Sequence, residues 1–537
     1  MVAISLGTPA PVQAAVPKPQ CQPGDAPETG LQGQVPMVDR ASGRAVQGYT
    51  CNLTEVGGYG APIDPSHSRV AGWATLDTYK NCAYYGDAAG VTPLPGQPAG
   101  VVVVDISDPA HPVRTDYLTT PAMQSPWESL RVNARRGLLV ANRQGTQDFD
   151  VYDVATDCRH PRVLFSGQLP TAVGHEGWFQ PDGLVYYVSR SAGPNDLFGV
   201  GVWPVDLTDP TKPKEYRRWL FAGQIHGGSM STDGKRAYLC QIGNPNGVLT
   251  VDTSRVQERR DFSQPTVIST LPIPFNIACQ STYPVHYGTH PYVIQYGEET
   301  DRCNPQTVQD GAPNFDHPRI IDMSNERKPK IVGELKLEVD EPENCLAVTG
   351  DASPRSVSFA PGVGGGGPLF GYSVHHCSPD RLLNPTILAC GQFDAGLRVY
   401  DIRKPAAPKE LAYVSLGTLS IADSTIDSTI SRPVVLAERG LVVFTSEFSG
   451  LHVARFAKGV WPFAGEPCPG GSDYFYTHYN PGTRCPPPVW PEPGAGAAGP
   501  RGRPGGTLSA TGTSLGLALA GCAVFAGLLL LRRLARA

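Results

Sequence analysis

Four stretches of the 537-residue chain place imidazoles where they could do chemistry: His175 in Gly-His-Glu-Gly-Trp, His226 in Ile-His-Gly-Gly-Ser, His286 with His290, and the pair His375-His376. Neutral imidazole is a common ligand of divalent transition metals, and a nearby carboxylate either completes the coordination or takes a proton from bound water. On that reasoning His175, Glu176, His226 and His376 make a candidate metal site, with a divalent metal as the cofactor and Glu176 as ligand or base. The competing reading tucks each ring against a tight turn, bonded to backbone carbonyls, with no cofactor. No spacing within one segment is a ligand signature such as His-Glu-x-x-His. The phosphate-binding loop is also missing from the sequence. Gly-x-Ser-x-Gly occurs only at 512–516 inside the apolar 508–531 run, and the dinucleotide-binding glycine spacing only in the Gly tract at 362–367 and the Pro/Gly-rich linker at 494–499, so no catalytic or organic-cofactor residue is assigned. The tract Gly364 to Gly367 reads as a loop tip, because no Gly-Lys-Ser/Thr follows it.

Residues so far apart meet only if a repeat brings them to one axis, and a repeat is visible. Val101-Val102-Val103-Val104-Asp105-Ile106-Ser107-Asp108-Pro109 continues to His111-Pro112-Val113, and Val200 to Pro210 around Asp206 continues to Lys212-Pro213. Weaker copies surround Asp153, Asp252, Asp322 and Asp401, and a last one, Gly450 to Phe456, has lost the Asp. A β-branched run without strict alternation predicts a strand covered on both faces, and the Asp predicts a turn in which its carboxylate accepts backbone N–H bonds two residues on. These six Asp are therefore turn residues rather than catalytic or calcium-binding ones.

Successive Asp positions lie 48, 53, 46, 70 and 79 residues apart, close to the roughly 40 to 50 residues of a four-stranded propeller blade, with two enlarged members. The predicted fold is all-β: a propeller of seven four-stranded antiparallel blades over residues 49–457. Tyr49 to Val56 is expected to add a strand to the last blade through the strand bearing Cys51, closing the ring and removing an exposed edge. In such a ring the first strand of each blade lines the channel, so the histidines, which recur near unit starts, would converge. The strand and its Asp resemble those of the LVIVD-repeat family, whose name spells them. That resemblance implies a propeller-like, usually secreted or surface protein, and it implies no reaction.

Composition agrees. Gly 60 and Pro 53 make about a fifth of the chain and charged residues are 17%, against roughly 25% in an average soluble protein, which suits many short strands and turns. A net charge of -5 without long basic runs argues against nucleic-acid binding and against a coiled coil. Twelve of the 13 cysteines lie between Cys21 and Cys485, an even number that points to disulfides in an oxidising compartment. Cys468 with Cys485 and Cys21 with Cys51 are the expected pairs.

The ends set the topology. Residues 1–15 are small and apolar and read as a truncated export signal, followed by an extension over 16–48. Residues 458–485 form a Cys-containing extension and 486–507 a Pro/Gly-rich linker. Residues 508–531 carry no charge and, at about 1.5 Å per residue, are long enough to cross a bilayer as a helix. Arg532, Arg533 and Arg536 in the 532–537 tail place that end in the cytoplasm and the propeller outside. Leu508-Ser509-Ala510-Thr511-Gly512 also resembles a sortase signal, with Ser509 where such signals carry Pro or Ala, so Leu508, Thr511 and Gly512 mark an alternative covalent attachment to the cell wall. The expected protein is a monomeric, surface-anchored binding or scaffold propeller with an extracellular protein or cell-envelope ligand as partner. The alternative is a metal-dependent extracytoplasmic enzyme using the channel histidines.

Overall fold

Every β-branched run of the repeat forms the third strand of its own sheet: Val101–Asp105, Asp148–Asp153, Gly201–Asp206, Gly247–Asp252, Arg319–Asp322, Gly396–Asp401 and Gly450–Phe456. All six Asp make the expected turn. Asp105, Asp153, Asp206, Asp252, Asp322 and Asp401 each accept, at 2.7 to 3.1 Å, the backbone N–H two residues on. The carboxylate thereby stops the strand and aims the chain into the fourth strand, which runs back antiparallel.

A computed structural model describes residues 14–60, 75–86, 99–190, 200–243, 246–275, 279–298, 303, 305–348, 351, 371–422, 424–461 and 463. Among these residues there are seven antiparallel sheets, the blades of one β-propeller. The first strands are Leu76–Tyr79, Arg131–Asn133, Glu176–Phe179, Gln224–Met230, Cys279–Tyr287, His376–Pro379 and Val434–Leu436. Six sheets have four strands and the sixth blade has five.

The ring closes one strand later than the sequence suggests. Tyr49–Cys51 pairs with Lys409–Ser415 and becomes the fifth strand of blade six, whereas Leu53–Tyr59 pairs with Gly450–Phe456 and completes blade seven. Asn52 separates the two. Its φ of 60° lies in the left-handed region, which Asn tolerates better than most residues, and its side-chain amide donates to the Gln20 and Leu411 carbonyls. The Cys51 strand therefore ends on blade six.

Seven apolar clusters hold the ring, one at each seam between neighbouring blades. Val140, Phe149 and Val151 of blade two meet Phe179, Tyr186 and Trp203 of blade three, for example, all nearly without solvent contact. Burying each such side chain contributes roughly 1.5–3 kcal/mol, so no blade is stable apart from its neighbours. Five disulfides are present: Cys21–Cys51, Cys82–Cys158, Cys240–Cys279, Cys303–Cys345 and Cys377–Cys390. Cys240–Cys279 links blades four and five, and Cys82–Cys158 links blades one and two.

Residues 16–48 dock against the ring. Val16 donates its N–H to the Lys336 carbonyl at 2.8 Å, and Glu28 forms an ion pair with Arg398 of blade six. The enlarged interval before blade six carries short helices at Pro342–Asn344 and Cys345–Val348, and Gln34 reaches the Ala347 carbonyl there at 3.0 Å. Among the described residues no helix is long and apolar enough to cross a membrane. Cys468, Cys485, the Gly364 to Gly367 tract, residues 1–13 and the 508–531 segment with Leu508, Thr511 and Gly512 lie outside the described residues.

Candidate metal centre

The starts of the first strands meet at the axis. His175 directly precedes Glu176–Phe179, His226 is the third residue of Gln224–Met230, and His375 precedes His376–Pro379. Among them lies Glu128, three residues before Arg131–Asn133. All five side chains are nine-tenths or more buried. Four ring Nε2 atoms surround this one carboxylate. His175 and His226 lie 3.3 and 3.7 Å from Glu128 Oε2, and His375 and His376 lie 3.0 and 3.8 Å from Glu128 Oε1. The Nε2 atoms of His175 and His226 are 2.8 Å apart.

These distances fit hydrogen bonding and are also compatible with shared coordination. Two ligands bound at about 2.1 Å to one ion sit roughly 3 to 4 Å apart. Glu128 divides the cluster into two triplets, with His175 and His226 on one side and His375 and His376 on the other, and the ligand atoms of each triplet lie within 4.8 Å of one another.

One outer ring nitrogen is held from behind: His375 Nδ1 is 2.6 Å from the Ile430 carbonyl, while His226 Nδ1 lies 3.4 Å from Glu176 Oε2 without a hydrogen bond and His376 Nδ1 has none among the described residues. A proton on the outer nitrogen leaves the inner lone pair facing the axis, which is how metal-ligating histidines are usually oriented. Glu176 is thus a positioning carboxylate behind His226, and its Oε1 accepts from Ser281 Oγ at 2.8 Å and lies 3.4 Å from Arg131. Glu298 adds a further carboxylate 3.0 Å from His375 Nε2, and the Gln280 amide approaches His375 and His376 at 3.4 and 3.5 Å.

Electrostatics in this buried space call for positive charge. Burial alone would raise the Glu128 carboxyl, but the surrounding imidazoles hold it well below its ordinary range. Burial likewise opposes charge on His375 and His226, yet Glu128 and Glu298 push His375 up to about 10, and Glu128 and Glu176 raise His226. His376, buried and next to the charged His375, is driven well below the usual imidazole value. A dication at the same place satisfies the same carboxylates.

The structure brings together His175, His226 and His376 of the sequence-derived set, and puts Glu176 one step behind them. His286 and His290 stand elsewhere: both lie at the far end of the Cys279–Tyr287 hairpin, and His290 is exposed. Sequence reasoning did not assign Glu128, His375 as a ligand, or Glu298. Glu128 stands three residues before the first strand of blade two, whereas His175 and His375 directly precede theirs, so no shared position marked it.

No family model matches the chain, and no curated protein matches it. Solved structures resemble it in part. A β-propeller domain of Myceliophteria thermophila aligns at 10% identity with a TM-score of 0.45, over 75% of this chain and 100% of that one. A hypothetical selenium-binding protein from Sulfolobus tokodaii aligns at 12% identity, TM-score 0.45, over 71% and 93%. The periplasmic gluconolactonase of Pseudomonas aeruginosa aligns at 13% identity, TM-score 0.36, over 51% and 73%. Nothing about function follows from these likenesses.

Proposed function

We propose that the propeller is a metalloprotein whose channel holds a first-row transition-metal dication on His175, His226, His375 and His376 with Glu128. The observation that carries this reading is the convergence of four buried Nε2 atoms, from three blades, on one buried carboxylate. Imidazole nitrogen with a single carboxylate suits zinc, copper, iron or nickel better than calcium or magnesium, which take oxygen cages. Bound there, such an ion supplies Lewis-acid or redox chemistry to a ligand entering the channel. The protein's own contribution is to fix the imidazoles: Ile430 holds the outer face of His375, Glu176 lies behind His226, and the seams around the ring limit relaxation. A binding or scaffold role for the outer faces is compatible with the same centre, since propellers host both.

The LVIVD kinship, the outward orientation and the single-span or wall anchorage belong to the same proposal. They are supported by the six Asp-terminated third strands, by five disulfides of a kind that persists in oxidising compartments, and by the uncharged 508–531 run before three arginines. Titration of metal-depleted protein with zinc, copper, iron(II) or nickel tests the centre: at least one ion is expected to raise the melting temperature, as any ligand specific to the folded state does. Glu128→Gln and His226→Ala should abolish that rise. A wild-type protein indifferent to all four ions contradicts the proposal.

A further inference from the structure

The channel continues beyond the imidazoles into a chamber. Arg131, Trp178, Ser229 and Tyr283 line it, and they stand three residues after Glu128, His175, His226 and Gln280 in their respective strands. The chamber adjoins the proposed metal ligands: Glu176, which lines it, lies 3.4 Å from His226 Nδ1, and the ring of Tyr296, which also lines it, is 5.8 Å from that of His376.

Three guanidiniums, Arg131, Arg135 and Arg432, and two carboxylates, Asp77 and Glu176, line the chamber. Those carboxylates are already heavily used. Asp77 takes Arg432 at 2.7 Å together with the backbone N–H groups of Thr78 and Val132, and Glu176 serves Arg131, Ser281 and His226. Donors remain over. Arg432 Nε and the Trp178 indole N–H are buried without a hydrogen-bond partner, and both groups can only donate. The Tyr283 hydroxyl, which also lines the chamber, is kept protonated by burial. A buried donor left unmade costs about 1–3 kcal/mol, so a ligand rich in acceptor lone pairs and carrying negative charge completes the chamber.

We infer that this chamber binds a small oxyanion, a carboxylate or an inorganic phosphate, with the Arg432 guanidinium and the Trp178 indole N–H donating to it. Arg131 and Arg135 supply the remaining positive field, and guanidinium is the side chain best matched to paired oxygens. The inference goes beyond the metal reading and does not depend on it.

Isothermal titration of the metal-depleted full chain with inorganic phosphate and, separately, with malonate tests it, because depletion removes any binding to an ion. Saturable heat is expected for at least one probe: phosphate alone points to an inorganic ligand, malonate alone to an organic acid. Arg432→Gln should weaken binding by about tenfold or more, as expected for a charge-assisted contact. Because Arg432→Gln leaves Asp77 without its cation and endangers folding, Trp178→Phe is the second variant. It keeps the ring that stacks on Tyr187 and removes only the donor, and a weakening of several-fold is expected. Absence of saturable heat with both probes overturns the inference, and so does unchanged affinity in a folded Trp178→Phe and a folded Arg432→Gln.

Discussion

His175 and His226 meet Nε2 to Nε2 at 2.8 Å with their rings at 85°. Two imidazole nitrogens at that separation share one proton or one ion. Behind this pair stands Glu176, 3.4 Å from His226 Nδ1. Glu176→Gln should therefore lower metal affinity by about 10–100-fold, the usual effect of losing a partner behind a ligand, while saturation at high metal concentration still reaches the wild-type stoichiometry. Competition against a chromophoric chelator measures both, and a Glu176→Gln protein with wild-type affinity would remove Glu176 from the site.

Closure of the ring rests on Leu53–Tyr59 rather than on the Cys51 strand. Leu53 is fully buried in the seam between blades six and seven, so Leu53→Ala should cost about 2–5 kcal/mol in denaturant unfolding. Thr50→Ala, at a half-buried position on the added fifth strand, should cost much less. Equal losses at the two positions would mean that the outer strand also closes the ring.

The fold was largely legible because its signal is local. A β-branched run, an Asp and a following Pro specify third strand and turn in a single short segment, and repetition at blade spacing implies the ring. The channel site was legible only in part, since its members come from separate blades and the sequence places them together only through the ring. His175 and His226 were found because imidazole is conspicuous. Glu128 was not, because an isolated Glu in Pro-Trp-Glu-Ser carries no mark of burial. The exact closing strand was hidden in the left-handed turn at Asn52, one residue that moves Tyr49–Cys51 onto another blade.

The Cys21–Cys51 bond ties the N-terminal extension to the fifth strand of blade six across 30 residues of chain. Replacing both cysteines by Ser should lower stability by about 3–4 kcal/mol if loop closure in the unfolded chain dominates. Non-reducing peptide mapping should recover Cys21 and Cys51 in one linked peptide, and finding both alkylatable would refute the pairing.

Glu410 gives a pH dependence of definite sign. It is fully buried beside Arg398 and close to Glu28, and burial first, then repulsion from Glu28, pushes its carboxyl up to about 7 against the attraction of Arg398. The folded state therefore holds a proton that the unfolded chain, with an ordinary value of 4.5, releases. Stability from this group is full below pH 4.5 and is lost as pH rises through 7, by roughly 3 kcal/mol at most at about 1.36 kcal/mol per pH unit. Glu410→Gln mimics the protonated form, so its melting temperature relative to wild type should rise between pH 5 and pH 8, by differential scanning fluorimetry. A difference that stays flat, or falls, contradicts the assignment.

Elemental analysis of the full chain, purified without chelator, tests the central claim most directly. One transition-metal ion per chain is expected if all four imidazoles share it, and two if Glu128 bridges a pair on each side, with the content collapsing in Glu128→Gln. Substoichiometric metal in the wild-type protein, persisting after incubation with zinc, copper, iron(II) and nickel, would contradict the account and leave the four histidines as structural groups around a buried carboxylate.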